Sequence, residues 1–251
     1  MVQLAADKVV FVTGGASGIG RAAAREFSAE GAAHVVVADL DMAGAEATVA
    51  SLAGAGSSMV LDVGDEVAVG VAIDELVAEH GRLDIAFNNA GINDVPHQFH
   101  ELDAAAWDRM IRVNLSSVFA CMRHELRHMA AAGRGAIVNT SSGAGIVAAP
   151  GLAHYTAAKH GVIGLTKAAA QEYARQGIRV NAVLPGSTDT AMLQDFIAGD
   201  EAMAAIIARS NIHGELLQPE AVAAAVVWLA SDHAGMVNGQ SLVVDGGGIV
   251  R

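Results

Sequence analysis

Short apolar runs, rich in β-branched residues, recur along the chain, and a longer stretch with helical character separates each from the next. Val9-Val10-Phe11-Val12 is the first. Val35-Val36-Val37, Ser58-Met59-Val60-Leu61 and Leu83-Asp84-Ile85-Ala86-Phe87 follow. Ala136-Ile137-Val138-Asn139, Ile178-Arg179-Val180-Asn181-Ala182-Val183 and Ser241-Leu242-Val243-Val244 complete the series. Most of these runs are apolar without alternation, so both faces must be covered, as in the strands of a parallel sheet. Helices are expected from a Gly-rich turn to about residue 29, then over 42–52, 67–80, 102–132 with a break near Val113, 155–175 and 219–230. Pro219 opens the last of these, where its missing N–H costs no hydrogen bond.

Alternating strands and helices specify an α/β architecture: a single doubly wound Rossmann domain with about seven parallel strands and helices on both faces. No linker, repeat or low-complexity segment divides the 251 residues, so 1–251 reads as one dinucleotide-binding and catalytic domain. The segment 185–217 has no clean period and carries Pro185, Gly186, Gly199 and Gly214. So long an irregular stretch in a compact domain is often functional, and a substrate lid is expected there.

Charge narrows the partners. With 27 acidic against 15 basic residues the net charge is −12, which repels a polyanion, and no Lys/Arg run offsets it. Nucleic acid is set aside. Cys121 is the one cysteine, so no intrachain disulfide forms, and its apolar setting from Val118 to Met122 suits a buried inert thiol. The start, Met1 to Lys8, lacks the basic-then-apolar pattern of a signal peptide, and no apolar stretch is long and clean enough to span a bilayer. A cytoplasmic protein without a membrane partner is expected.

After the first strand stands Thr13-Gly14-Gly15-Ala16-Ser17-Gly18-Ile19-Gly20. Gly14, Gly18 and Gly20 let the backbone turn sharply and approach a pyrophosphate, which the N–H groups opening the next helix would face. Alone, such a turn is as well explained by structure as by a cofactor. Asp39 adds weight, because it closes the second strand roughly 20 residues on, where a carboxylate binds the adenosine ribose hydroxyls. It would also repel a 2′-phosphate, and no Arg or Lys stands at 15–17 or at 40 to receive one. NAD is therefore expected over NADP.

Tyr155 and Lys159 are four residues apart and share one helix face. A free tyrosine, with a pKa of about 10, is a poor acid–base near neutrality. A nearby ammonium favours the phenolate and lowers that value. Taken alone, the pair is most simply a surface contact.

Together with these, Asp62-Val63, Asn88-Asn89-Ala90-Gly91, Asn114, Ser142 and Pro185-Gly186 make the chain resemble the short-chain dehydrogenase/reductase family, in its roughly 250-residue, NAD-dependent form. The likeness covers nearly the whole chain. It implies that Tyr155 is the general acid in ketone reduction and the base in alcohol oxidation. Lys159 would lower its pKa and hold the nicotinamide ribose. Ser142, more than its neighbour Ser141, would bond the substrate oxygen, and Asn114 would hold a water that links Lys159 to solvent. Asp62 and Val63 would contact adenine, Asn88 would brace the central strands, and Asn89, Ala90 and Gly91 would line the cofactor. Ser17, Ile19, Leu40, Val113, Tyr155 itself, Pro185, Gly186, Thr188 and Thr190 complete the cofactor contacts that the resemblance suggests. Ser17 also stands where NADP users commonly carry a basic residue. Family members often have an apolar residue in place of Thr188. The resemblance further suggests a homotetramer, with the helices at 102–132 and 154–175 at one interface and the C-terminal segment at another.

Two histidine patterns compete for attention. His124-Glu125-Leu126-Arg127-His128 fits H-E-x-x-H, a zinc-protease motif. On a helix, Leu115, Val118, Phe119, Met122, Leu126 and Met129 form an apolar stripe, and His124 and His128 fall opposite it. No third ligand is apparent, so a polar helix face or subunit contact is expected and no metal. His97 and His100 suit either a solvated loop or the wall of a substrate cleft.

The expected activity is NAD-dependent hydride transfer between a small, neutral or cyclic secondary alcohol and its ketone. Ile92, Ala144, Val147, Leu152, Met192 and Phe196 are the expected pocket walls. A 3-oxoacyl reductase, a cis-dihydrodiol dehydrogenase and a non-catalytic NAD-binding sensor are the alternatives.

Overall fold

The structure is a computed structural model that describes residues 3–198, 204, 207, 212 and 214–249. It begins with β1 (Val9–Thr13), α1 (Gly18–Ala29), β2 (His34–Asp39), α2 (Met42–Ala50), β3 (Gly56–Val60) and α3 (Glu66–His80). Then come β4 (Ile85–Asn88), α4 (Ala104–Ile111), α5 (Ser117–Ala132), β5 (Gly135–Thr140), α6 (Ala153–Tyr173) and β6 (Ile178–Pro185). α7 (Ala191–Ile197), α8 (Pro219–Ala230) and β7 (Ser241–Val244) complete it.

The seven strands form one parallel sheet in the order β3-β2-β1-β4-β5-β6-β7. Chain direction across the sheet reverses between β1 and β4. In such sheets ligands bind outside the carboxyl ends of the strands at that reversal. Successive strand residues face opposite layers. Phe11, Ile137 and Val180 pack with Ile73, Leu76, Met122 and Met129 on one side. Val10, Val12 and Val138 pack with Phe27, Val226 and Leu229 on the other. Both sides are dry over the central strands, which is why most of the strand runs are apolar.

The expected strands and helices are present, and α8 and β7 have the expected limits. β3 begins two residues earlier than expected and ends at Val60. It is an edge strand with intermediate exposure, and its Gly56-Ser57-Ser58 start gives no apolar signal. β4 begins later, at Ile85. Asp84, just before it, spends its carboxylate on the Val9 amide at 2.9 Å. The break near Val113 is a π-helical turn over Arg112–Ser116, in which the Ser117 N–H reaches back to Arg112 O. Phe119 leaves the apolar stripe and stands 50% exposed. In the segment 185–217, Thr188 pairs with Leu217 and 191–197 is helical, whereas 199–203, 205–206, 208–211 and 213, including Gly199, lie outside the described residues. Among the described residues no helix is long and apolar enough to cross a membrane.

Candidate active site

The glycine turn is shaped by close approaches. Gly14 has φ +65°, and a Cβ there would lie 2.8 Å from Ala90 Cα. A Cβ on Gly20 would fall 2.1 Å from Gly14 O, so Gly20 is a packing position beneath the turn. Asp39 holds the turn from the end of β2: one carboxylate oxygen accepts from Ala16 N at 2.9 Å and the other from Asp41 N at 3.0 Å. Arg21 of α1 donates to Ala16 O and, at 3.2 Å, to Thr48 Oγ1, and it does not line the cavity below.

Beyond β4, Asn89 is bound to the turn: its amide donates to Gly14 O at 3.1 Å, and its backbone N donates to Thr13 Oγ1 at 3.0 Å. Asn88 points into the core. Its amide donates to Asn139 of β5 and to Glu125 of α5, both at 3.0 Å, and so ties the two central strands together. Burial pushes the Glu125 carboxyl up to about 8.

The π-helical turn presents Asn114. Its Oδ1 accepts from Ile92 N at 3.2 Å and its Nδ2 donates to Ile92 O at 3.0 Å. A Cβ on Gly91 would meet that Oδ1 at 2.6 Å and Lys159 Nζ at 3.7 Å, so only glycine lets the three approach.

Tyr155 and Lys159 lie on one face of α6, with Lys159 Nζ 5.5 Å from the tyrosine ring centre. Lys159 Nζ donates to Thr140 O at 2.9 Å. Ser141 is buried and donates to Lys159 O at 2.8 Å, so its hydroxyl is committed to structure. Ser142 accepts from Ala144 N at 3.2 Å and hydrogen-bonds toward the Tyr155 phenol. Burial raises the Tyr155 phenol above its usual value, and the Ser142 contact works against that rise. Burial lowers the Lys159 ammonium to about 8. The direction at Tyr155 is opposite to that expected from a bare Tyr–Lys pair, because loss of water dominates.

After β6, Thr188 is buried, with its hydroxyl on Gly186 O at 3.0 Å, and Thr190 caps α7 through Leu193 N. A Cβ on Gly18 would lie 2.9 Å from Thr190 Cγ2, so this segment closes against the glycine turn.

These elements enclose a cavity of about 520 Å³. Gly14, Ser17, Gly18, Ile19, Asp39, Leu40, Asp62, Val63, Asn89, Ala90 and Gly91 line it. Val113, Asn114, Ser142, Tyr155, Lys159, Pro185, Gly186, Thr188, Thr190, Ile92 and Met192 line it too. Gly20, Ala144, Val147, Leu152 and Phe196, also expected there, are not on its wall. Val147 is half exposed on the loop after β5. Asn93, Arg109, Arg112, Thr140, Ser187 and Leu193 line the cavity without having been anticipated. Arg109 precedes Val113 by one helical turn, a spacing that marks it on the sequence. Nothing in the sequence marks Asn93 or Thr140 beyond adjacency to expected residues.

The two histidine patterns of the sequence are accounted for locally. His128 lies 2.6 Å from Asp74, His124 packs on Gly70, and Glu125 is fully buried between them. Among the described residues no group of three or more His, Cys, Asp or Glu is placed to hold a metal ion. His97 is 3.9 Å from Asp94 and His100 is exposed, and neither lines the cavity.

A family model described as enoyl-(acyl carrier protein) reductase matches residues 14–248. The chain is 46% identical over 250 residues, 98% of each chain, to the cis-4-hydroxycyclohexanecarboxylate dehydrogenase of Sinomonas cyclohexanicum. It is 41% identical to the cyclohexanol dehydrogenase of Acinetobacter sp. strain SE19, over 96% of this chain and 94% of that one. Among solved structures, levodione reductase superposes with a TM-score of 0.94 at 35% identity over 98% of both chains.

Proposed function

The chain belongs to the short-chain dehydrogenase/reductase family, and on that basis we propose that it is an NAD-dependent oxidoreductase interconverting a small, neutral or cyclic secondary alcohol and its ketone. The observation that carries this reading is the meeting of Asn114, Ser142, Tyr155 and Lys159 on one cavity, the opposite end of which is formed by the glycine turn and Asp39. The cavity suits a dinucleotide: the close approaches at Gly14 and Gly18 leave backbone, not side chain, facing it.

When bound, a nicotinamide cofactor supplies or accepts the hydride. The residues of this chain handle the proton. In reduction, the Tyr155 phenol gives its proton to the substrate oxygen while Ser142 donates a second hydrogen bond to it. Preorganised donors of this kind are worth roughly 3–4 kcal/mol each in comparable sites. Burial keeps that phenol protonated until it is used. Lys159 then steadies the phenolate that is left. In oxidation the same proton returns to Tyr155. Asn114 holds the backbone of Ile92 beside this pair.

Asp39 supports NAD over NADP, since its carboxylate faces the cavity and would repel a 2′-phosphate. Arg21, the basic residue nearest the turn, is already bonded to Ala16 O and Thr48. Ile92, Met192 and Leu193 give the wall an apolar share that suits a carbocyclic alcohol, as the names of the two dehydrogenase relatives do. The described part of 185–217 serves as the lid. Half-exposed Trp107 and Phe119, on α4 and α5, suit burial in a homotetramer. The protein works in the cytoplasm, on a small molecule, with neither nucleic acid nor membrane as partner.

The test is spectrophotometric. NADH formation from cyclic secondary alcohols and its consumption by their ketones are measured for the wild type and Tyr155→Phe. The variant, which keeps the aromatic ring, should still bind NADH and lose at least about a hundredfold in kcat. Undiminished turnover would overturn the role of Tyr155. A higher kcat/KM on 3-oxoacyl thioesters would reassign the substrate.

A further inference from the structure

Asn93 is a side-chain amide on the cavity wall, and no protein group among the described residues accepts from or donates to it. Its Oδ1 is buried and unpartnered. An amide offers two donor hydrogens and two acceptor lone pairs. Buried polar groups without a partner are rare in native proteins because they are costly, and this oxygen, shut off from the cavity as it stands, reaches a ligand there only when the amide turns about χ2.

The neighbours of Asn93 place it at the chemical end of the cavity. On one side, Ile92 is bonded through both its N and its O to Asn114. On the other, Asp94 Oδ2 lies 3.0 Å from Nε2 of fully buried His154, the residue before Tyr155. The carboxylate can only accept, so the ring nitrogen donates. Farther along the same loop, His97 N donates to Gly151 O at 2.8 Å. Asn93 is thus suspended between anchors that lead to Lys159 and to Tyr155, while Asp39 and Asp62 stand at the strand ends of the other half of the sheet.

We propose that Asn93 is a specificity-determining residue, whose amide binds a second oxygen-bearing substituent, hydroxyl or carboxylate, on the ring of a cyclic alcohol substrate. Asp94 and His154 are positioning residues that hold its loop. The inference rests on the dehydrogenase reading above. Rotation about χ2 turns either end of the amide to the ligand. The carbonyl accepts from a hydroxyl, and the NH2 donates to a hydroxyl or a carboxylate. An apolar wall would take an unsubstituted ring as readily. A half-buried amide left unpaired discriminates against it.

The test compares kcat/KM with NAD+ for cyclohexanol, cyclohexane-1,4-diol and 4-hydroxycyclohexanecarboxylate in the wild type, Asn93→Ala, Asp94→Ala and Asp94→Asn. The wild type should prefer at least one substituted ring over cyclohexanol, and Asn93→Ala should lower that preference about tenfold or more. Taking the ratio within one preparation cancels any loss of folded protein. Asp94→Ala should lower the ratio as well, and Asp94→Asn, which keeps an acceptor for His154, should restore it. Loss confined to the diol, or to the acid, identifies which oxygen group is bound. A wild type without preference, or a preference that Asn93→Ala leaves intact, overturns the inference and leaves the dehydrogenase reading standing. An Asp94→Ala variant with the full preference overturns the positioning role. A wild type that oxidises none of the three alcohols overturns both the inference and the reading beneath it.

Discussion

The Lys159 ammonium donates to the carbonyl oxygen of Thr140 at 2.9 Å, and the carbonyl of the same lysine accepts from Ser141 at 2.8 Å. The exit of β5 therefore fixes both ends of the residue that faces the Tyr155 ring.

That fixation removes Lys159 from water and brings its pKa to about 8. Below that value it is a cation that stabilises the phenolate formed when Tyr155 gives up its proton. Above it, the charge is gone. Ketone reduction should therefore lose efficiency as pH rises through about 8. Lys159→Arg, which stays charged, should show a lower rate without that inflection. A kcat/KM profile from pH 6 to 10 in both proteins checks this, and an inflection retained in the arginine variant would assign it to another group.

Asp39 both braces the glycine turn and offers its carboxylate to the cavity. Asp39→Ala should raise the Kd for NAD+ at least tenfold, on the order of losing one hydrogen bond to a charged group. It should also narrow the gap between NAD+ and NADP+, since the repulsion of a 2′-phosphate goes with it. Titrations by isothermal calorimetry with both cofactors decide this. Equal losses for the two would leave Asp39 a purely structural brace.

Glu125 supplies a pH dependence of stability. Burial raises its pKa from 4.5 to about 8 in the folded chain, so the folded state holds its proton more tightly than the unfolded one. Its contribution is fully present below about 4.5 and is lost as pH climbs toward about 8. The loss is roughly 1.4 kcal/mol per pH unit across that window. Glu125→Gln keeps an acceptor for the Asn88 amide and does not titrate. Relative to this variant, the wild type should melt at progressively lower temperature between pH 5 and 8. Parallel melting curves would show that Glu125 does not change its proton affinity on folding.

Trp107 and Phe119 stand 39% and 50% exposed on the consecutive helices α4 and α5. If these helices pair with another copy, Phe119→Glu places a charge in the interface and should shift a tetramer to smaller species. Sedimentation equilibrium measures it. A wild type that sediments as a monomer would remove the need for any such surface.

Much of this was legible in the sequence, for a physical reason. Strands dry on both faces are largely apolar, so β1, β2 and β5 declare themselves, and β6 does so despite Arg179 and Asn181. β3 does not, because an edge strand beginning Gly56-Ser57-Ser58 carries no such run. The cavity residues held by backbone geometry, Gly14, Gly18 and Gly91, are marked by being glycines. Those placed by loop packing are not. Ala144, Val147, Leu152 and Phe196 are apolar and near Tyr155 in sequence or segment, yet the path of the chain after β5 and in α7 takes them off the wall. Asn93 is an unremarkable amide until the Asp94–His154 contact shows where its loop is pinned. Phe119 fits a helical wheel drawn from Leu115, but the π-helical turn changes the angular position of everything before it relative to α5.

That turn has a further consequence. An ordinary helix advances about 100° per residue, so the extra residue accommodated over 112–116 acts as a phase shifter between two otherwise regular rods. Deleting one residue there would restore an unbroken helix and twist α4 by about that angle against α5. Arg109 and Trp107 would swing out of register with Val118 and Leu126, and Asn114 would leave Ile92. The insertion therefore cannot be lost without displacing the asparagine, and the helix can drift in length at its ends but not in its middle.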